Sequence, residues 1–186
     1  MSPEELAEAA SEPNQFALQW VQAVVDNQAE MVWPQMTPDF RLSLSQWWLI
    51  HNPEALNDPS AASVDRDELA RILAAEKPEH ILFRQLARVL LRELRKSFGG
   101  LDVSQLGPGT RPRPMGLDLE LVRLFYLPDL DHDDDGNYVF AAGAAARAVS
   151  VLVERRDPGW AVAGIGEHLM RPGWPPTYER IVQSGD

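Results

Sequence analysis

The chain has 186 residues, a formal net charge of −11 and no cysteine, and 45% of its residues are hydrophobic. This composition predicts one folded domain with a core, and the lack of cysteine excludes disulfides, thiolate metal sites and cysteine nucleophiles. The acidic balance disfavours general nucleic-acid binding, because that function relies on cations that face phosphates.

The first hundred residues are predicted to be mainly helical. Ser11 is a candidate cap for a first helix that carries Pro13 in its first turn, where the missing N–H costs little. Apolar residues then recur at helical spacing over 16–25. A short second helix is predicted over 29–36. The segment 40–50 is compatible with strand or helix, and we favour helix.

Two more helices are predicted after a loop over 52–63. Asp65 can cap a helix that extends to about residue 76. The clearest helix is predicted over 78–98, where leucines form one stripe and the Gly99-Gly100 pair provides the stop.

The remainder is predicted to be mostly strand. Residues 99–116, which contain GPGTRPRPMG, are expected to be a linker that neither helix nor sheet accepts. The Asp157-Pro158-Gly159 stretch is expected to be a tight turn. Helices followed by an antiparallel meander indicate an α+β fold. Strands are predicted over 117–127, from Tyr138, over 147–155 and over 160–165.

This pattern predicts a single domain over 12–170, with helices at 12–98, the linker at 99–116 and the sheet at 117–169. Residues 1–11 are expected to be a flexible N-terminus, and 171–186 a proline-rich C-terminal tail.

The order of elements and three short stretches resemble the nuclear transport factor 2-like superfamily, which includes ketosteroid isomerases and SnoaL-type cyclases. The stretches are 16–20, Trp33 with 36–41, and 159–164, the last similar to a G-W-x-V pattern of closing strands. The resemblance covers about residues 12–170. It implies helices packed into a curved antiparallel sheet that closes a cone around a pocket, and a homodimer formed through the sheets.

The stretch DHDDDGN raises the question of a calcium site. Asp131, Asp133, Asp135 and Gly136 fit positions 1, 3, 5 and 6 of an EF-hand loop, but Ala142 stands where that loop needs a bidentate glutamate. An Asp-Gly pair between two apolar runs is also a strong hairpin signal. We therefore favour an acidic turn and predict no metal.

A row of arginines shares one face of the longest predicted helix. It could hold an anionic ligand or an acidic partner. A solvated face, or pairing with the chain's own carboxylates, is the interpretation that we favour, because exposed ion pairs are common and weak. The four residues are Arg84, Arg88, Arg92 and Arg95.

Aromatic and polar residues in the helical half are candidates to line a pocket. Trp47, Trp48 and His51 would lie together on a helix, and Trp20 lies on the first one. Asp39 could act as a general base if burial raised its pKa. Core packing of the tryptophans, with Asp39 as a helix cap, is the alternative that we favour.

The first long predicted strand carries Glu120 and Tyr126 on one face and Arg123 on the other. If the sheet curves around a cavity, Tyr126 could donate a hydrogen bond to an oxyanion. We favour the interpretation in which Tyr126 packs in the core, Glu120 is exposed and Arg123 forms an ion pair. Arg123 and His168 remain candidates to line a pocket.

The C-terminal segment contains Pro-Pro-x-Tyr at 175–178, a pattern that aromatic-lined grooves bind. We favour instead an extended tail that lies on the domain and buries Trp174 and Tyr178.

The leading hypothesis is a cone-fold domain that binds a small apolar ligand or a protein partner without catalysis. One alternative is an isomerase, cyclase or dehydratase-like enzyme that acts on a small hydrophobic carbonyl compound with a buried carboxylate base. Another is an interaction module that acts through the arginine row or the proline-rich tail. No cofactor is expected, because no phosphate-binding glycine loop or paired-histidine motif occurs.

Two further expectations concern the setting of the protein. Fifteen arginines against two lysines, with abundant alanine, indicate a GC-rich and therefore bacterial genome. The chain shows neither an apolar run of roughly 20 residues, as a membrane span needs, nor the apolar segment of a secretory signal. We expect a cytoplasmic protein without membrane or nucleic-acid partners.

Overall fold

The computed structural model describes residues 12–108, 112–116, 118–136, 138–141, 143 and 145–181. They form an α+β fold in which helices precede antiparallel sheets, as predicted. The predicted flexible segment 1–11, and with it the candidate cap Ser11, lies outside the described residues.

The helices are α1 (Pro13–Val25), α2 (Ala29–Val32), α3 (Pro38–His51), α4 (Arg66–Leu73) and α5 (Phe83–Ser97). Helix α3 confirms the helical interpretation of 40–50. It begins after Thr37, whose Oγ1 accepts a hydrogen bond from the Phe40 N–H at 3.3 Å. The prediction that Asp39 caps this helix was therefore wrong, because Asp39 lies within the first turn. Asp65 caps α4 as predicted, because its Oδ1 accepts from the Glu68 N–H at 2.8 Å.

The strands are β1 (Leu106–Pro108), β2 (Arg113–Gly116), β3 (Leu119–Tyr126), β4 (Asp131–His132), β5 (Tyr138–Val139), β6 (Ala148–Arg155), β7 (Trp160–Ile165), β8 (His168–Arg171) and β9 (Thr177–Arg180). The main sheet has the order β1-β3-β6-β7, and β2 pairs with β3 beside β1. All these pairs are antiparallel. Two separate hairpins, β4–β5 and β8–β9, complete the fold.

Two segments that were predicted to be a linker and a tail contain strands. Strands β1 and β2 fall within the predicted linker 99–116. Their prolines are tolerated because both strands pair with β3 and lie at the edge of the sheet, where a missing N–H breaks no ladder. Strand β9 falls within the predicted tail 171–186, and pairing with β8 makes that tail the second arm of a hairpin.

Within this hairpin, only one of the two aromatic residues that were predicted to be buried packs against the domain. Trp174 packs on the domain, where its Nε1 donates to Asp67 and its ring lies 4.1 Å below the guanidinium of Arg66. Tyr178 was predicted to be buried, but it is 65% exposed.

Three tryptophans fill the space between the helices and the sheet. Trp20, Trp33 and Trp48 are at most 2% exposed and belong to the main core, together with valines of β3, β6 and β7. The opposite face of the sheet carries a smaller core of Met115, Leu121, Leu152 and Ala163, which the β8–β9 hairpin covers through Leu169. None of the helices in the described ranges is long and apolar enough to cross a membrane.

Candidate functional site

The structure distributes the predicted pocket residues over three places. Trp20 and Trp48 belong to the core. Trp47 lies 4.5 Å from the ring of His51, which is exposed at the end of α3. Arg123 and His168 lie on β3 and β8, and Arg123 forms an ion pair with Glu167. These six residues therefore do not line one cavity.

Asp39 and Tyr126 also lie apart. Asp39 is exposed in the first turn of α3, beside a groove of about 310 Å³ that Leu119 also lines. Tyr126 lies at the other end of β3, roughly 23 Å from Leu119 at 3.3 Å per residue. Its ring packs 4.4 Å below the guanidinium of Arg147. The two side chains are thus not placed to act on one substrate.

The acidic stretch forms the predicted hairpin turn between β4 and β5. Asp133 accepts a hydrogen bond from the Asp135 N–H at 3.0 Å, and Gly136 takes the left-handed conformation with φ +81°. The carboxylates of Asp131, Asp133 and Asp135 are exposed. The described ranges contain no group of three or more side chains placed to hold a metal ion.

The predicted arginine row lies on α5, with Arg84, Arg88 and Arg92 exposed. Arg92 pairs with Glu93 at 3.0 Å, and the Nε of Arg95 donates to the Leu91 carbonyl at 3.3 Å. Arg84 and Arg88 pair with no carboxylate of the described residues. The carboxylates of the described residues therefore neutralise only part of this row.

An exposed apolar segment that the sequence did not reveal follows the acidic turn. Tyr138, Val139 and Phe140 are 49%, 36% and 49% exposed. The ring of Phe140 stands edge-on to Phe125 at 4.9 Å, and the ring of Tyr138 lies 4.5 Å from His132. Contiguous exposed apolar side chains typically mark a binding surface. The sequence indicates a strand here, but it does not show that β4 is the one described strand with which β5 pairs.

A groove of about 380 Å³ adjoins this segment. Leu127, Leu130 and Tyr138 line it together with polar side chains such as Gln105 and His132. A second groove, of about 450 Å³ and more apolar, lies between α1 and β1 and shares Ser104 with the first. We name Tyr138, Val139, Phe140 and the nearer groove the hairpin surface.

An ion pair holds the base of the hairpin surface. The Nε and Nη2 of Arg147 each lie 2.8 Å from a carboxylate oxygen of Asp129, and the Arg147 N–H donates to the same carboxylate at 2.9 Å. These hydrogen bonds lower the pKa of Asp129 to about 2. Asp129 precedes β4 and Arg147 precedes β6, so the pair joins the two ends of the segment that carries the hairpin.

A larger and more polar cleft, of about 1100 Å³, lies between the start of α1 and the β6–β7 turn. Its described lining consists of carboxylates, arginines, prolines, Gly159 and Trp160, with neither a histidine nor a hydroxyl side chain. Glu120 was expected to be exposed, but it is half-buried in this lining. The described lining of the cleft therefore contains no Ser–His pair of a hydroxyl nucleophile and its base.

The chain matches no family model, no curated protein and no solved structure in comparisons with known proteins.

Proposed function

We propose that this chain is a non-catalytic protein-binding domain, and that its hairpin surface binds a partner segment with an apolar anchor side chain flanked by lysine or arginine. The observation that carries the proposal is the exposure of three consecutive large apolar side chains, Tyr138, Val139 and Phe140, beside a groove that Leu127 and Leu130 help to line. Tyrosine and other aromatic residues dominate the energetics of protein interfaces.

The negative charge around the hairpin surface favours a partner with basic residues. Asp131, Asp133, Asp134 and Asp135 are all exposed on the turn that leads into it. Carboxylates at the rim of an interface steer a basic partner and orient it, while the apolar contacts supply most of the affinity. The groove of about 380 Å³ is large enough for one apolar side chain of the partner.

The filled interior favours a protein partner over a small apolar ligand. Trp20, Trp33 and Trp48 occupy the space between helices and sheet in which the cone hypothesis places a ligand. We also propose that the α+β arrangement is a cone of the nuclear transport factor 2-like kind, from a bacterial and cytoplasmic protein. The order of helices and antiparallel strands supports that assignment.

The proposal can be tested by selecting binders from a displayed library of random dodecapeptides with the purified protein as bait. We expect enriched peptides to share an aromatic or aliphatic residue next to lysine or arginine. A double substitution of Tyr138→Ser and Phe140→Ser should abolish their binding. Tyr178→Ser is the matched control, because Tyr178 is also an exposed aromatic residue and lies on a different hairpin.

Two results would contradict the proposal. One is a library that yields no shared motif. The other is a set of enriched peptides that bind the Tyr138→Ser/Phe140→Ser protein as tightly as the original protein.

Two exposed arginines of α5 pair with no carboxylate of the described residues. This observation favours a second interaction surface. We propose that Arg84 and Arg88 form part of a contact with an acidic partner segment. The same library distinguishes the two surfaces, because this contact would enrich acidic peptides whose binding Arg84→Glu/Arg88→Glu abolishes.

A further inference from the structure

An isoleucine and two arginines form an exposed face at the start of α5. Ile81 is 65% exposed and lies in the turn before the helix, where the Arg84 N–H donates to its carbonyl at 3.4 Å. Arg84 and Arg88 are exposed and follow at spacings of three and four residues, which place side chains next to each other on a helix. We name Ile81, Arg84 and Arg88 the α5 face.

The α5 face has the chemistry that the hairpin surface selects. It combines an apolar side chain with two positive charges, whereas the hairpin surface combines apolar side chains with the carboxylates of the acidic turn. Arg84 and Arg88 pair with no carboxylate of the described residues. Asp134 and Asp135 are exposed and take part in no ion pair within the same ranges. The two surfaces are therefore complementary, and the charges of both are open to a partner.

The two surfaces do not neutralise each other within one chain. No ion pair of the described residues joins α5 to the acidic turn. The groove of the hairpin surface is lined by residues of other segments, and none of its described lining comes from α5. Complementary charged surfaces that are not paired within a chain can pair between two copies of it.

We propose that a second copy of this chain is the partner, with the α5 face of one copy bound to the hairpin surface of the next. In this contact Ile81 fills the groove of about 380 Å³, and Arg84 and Arg88 lie against the acidic turn. The inference rests on the function proposed for the hairpin surface and names the partner of that surface. Because the two surfaces differ, the contact either closes a ring of copies or adds further copies as the concentration rises.

The net charge of the protein determines the conditions for a test. Every copy carries a net charge of −11, so two copies repel each other at low salt. At about 0.15 M salt this repulsion is largely screened beyond about 8 Å, while partly buried pairs are screened much less. One apolar anchor and two arginines make a small interface, so we expect a dissociation constant between about 10 µM and about 1 mM.

The test is sedimentation velocity of the full chain and of two blocked variants at this salt concentration. Tyr138→Ser/Phe140→Ser removes the aromatic side chains of the hairpin surface, and Arg84→Glu/Arg88→Glu reverses the charge of the α5 face. We expect the weight-average mass of the original protein to rise with concentration and each variant alone to stay monomeric. An equimolar mixture of the two variants should associate again, because each variant keeps the surface that the other has lost.

Arg71→Glu/Arg155→Glu is the matched control for the charge reversal. Both arginines are exposed and lie outside the two surfaces, and the control has the same net charge as Arg84→Glu/Arg88→Glu. It should associate like the original protein. Equal losses of association in the two double variants would show that net charge alone controls the association, and they would overturn the proposal.

A charge exchange tests whether the two surfaces contact each other directly. Arg84→Glu/Arg88→Glu and Asp134→Lys/Asp135→Lys, combined in one chain, exchange the charges of the two surfaces and leave the net charge unchanged. The combined variant should associate, although each double variant alone should not. A combined variant that stays monomeric would contradict a direct contact.

Further outcomes separate this inference from the function on which it rests. An original protein that stays monomeric up to about 1 mM overturns the second copy as partner. If library-selected peptides still bind the hairpin surface of that monomer, the proposed function stands with another protein as its partner. A contact between two identical hairpin surfaces would also overturn the inference, and it is recognised because Arg84→Glu/Arg88→Glu would then associate on its own.

Discussion

Asp129 and Arg147 join the two ends of the segment that carries the hairpin surface, through two side-chain hydrogen bonds of 2.8 Å and one backbone hydrogen bond of 2.9 Å. Within the described part of the chain the β4–β5 hairpin pairs with no other strand, so this contact restrains it at its base. A binding surface that is ordered before its partner arrives loses less conformational entropy on association. The ion pair therefore supports the proposed binding role as well as the fold.

Stability should depend on this pair at acid pH. The pKa of Asp129 is about 2 in the folded chain, below its ordinary value of 3.8. A carboxyl group with a lowered folded-state pKa stabilises the fold above its unfolded-state pKa, and the stabilisation is lost as the pH falls through the folded-state value. We expect urea midpoints of the original chain and Asp129→Asn to differ at pH 6 and to converge between pH 4 and pH 2.

An equal difference between the two proteins at pH 6 and at pH 2 would show that the charge of Asp129 does not stabilise the fold. Asp131→Asn serves as the control, since Asp131 is exposed on the neighbouring strand β4.

Arg41 should be the most costly arginine to replace. It is 7% exposed, and its guanidinium donates to the carbonyls of Ala74 at 2.9 Å and of Met36 at 2.6 Å. Burial lowers the pKa of this group. Arg41→Met keeps most of the volume but leaves buried carbonyls without donors, so we expect a loss of about 3 kcal/mol in urea unfolding.

Arg71→Met is the matched control for Arg41, because Arg71 is exposed on α4. Its free energy of unfolding should change by less than about 0.5 kcal/mol. Similar losses in the two variants would mean that the carbonyl contacts of Arg41 do not stabilise the fold.

Two buried tryptophans should respond differently to the same substitution. The Nε1 of Trp20 donates to the Val32 carbonyl at 3.1 Å, whereas the buried Nε1 of Trp48 has no hydrogen-bond partner in the described part of the chain. Trp20→Phe breaks a buried hydrogen bond, and Trp48→Phe removes a polar group that lacks one. We expect Trp20→Phe to be more destabilising by about 1–2 kcal/mol in thermal or urea unfolding. The reverse order would contradict this account of the core.

The arginine row should reduce the stability of its own helix. Arg88 lies four residues from both Arg84 and Arg92, and like charges at that spacing destabilise a helix. Arg88→Glu replaces two repulsions with two attractions, so we expect a gain of about 1 kcal/mol, reduced by added salt. A loss of stability, or a gain that salt leaves unchanged, would argue against electrostatic strain on α5.

Local signals in the sequence predict the helices well. Thr37 and Asp65 cap α3 and α4 through contacts within three residues, and such contacts can be read from adjacent sequence. Strands β1 and β2 were missed because proline disfavours strands in general. A strand at the edge of a sheet tolerates proline, but whether β1 and β2 lie at an edge depends on their pairing with β3. The tryptophan core was among the alternatives, since aromatic residues at helical spacing usually pack.

The candidate sites depended on long-range pairing that no sequence pattern contains. The open side of β5, next to which Phe140 is exposed, reflects its pairing with β4 and with no other strand of the described residues. For the same reason, sequence reasoning could combine Asp39 and Tyr126 in one hypothetical active site. In the structure, Asp39 lies near the start of β3 and Tyr126 at its end.

The most direct test of the proposed function is an NMR map of a library-selected peptide on the isotope-labelled protein. Saturating peptide should shift the amide signals of Tyr138, Val139, Phe140 and Leu130. Asp134→Asn/Asp135→Asn should weaken binding about threefold to tenfold at low salt. Shifts confined to other surfaces, such as the polar cleft near Trp160, with Tyr138 and Phe140 unmoved, would contradict the proposed function.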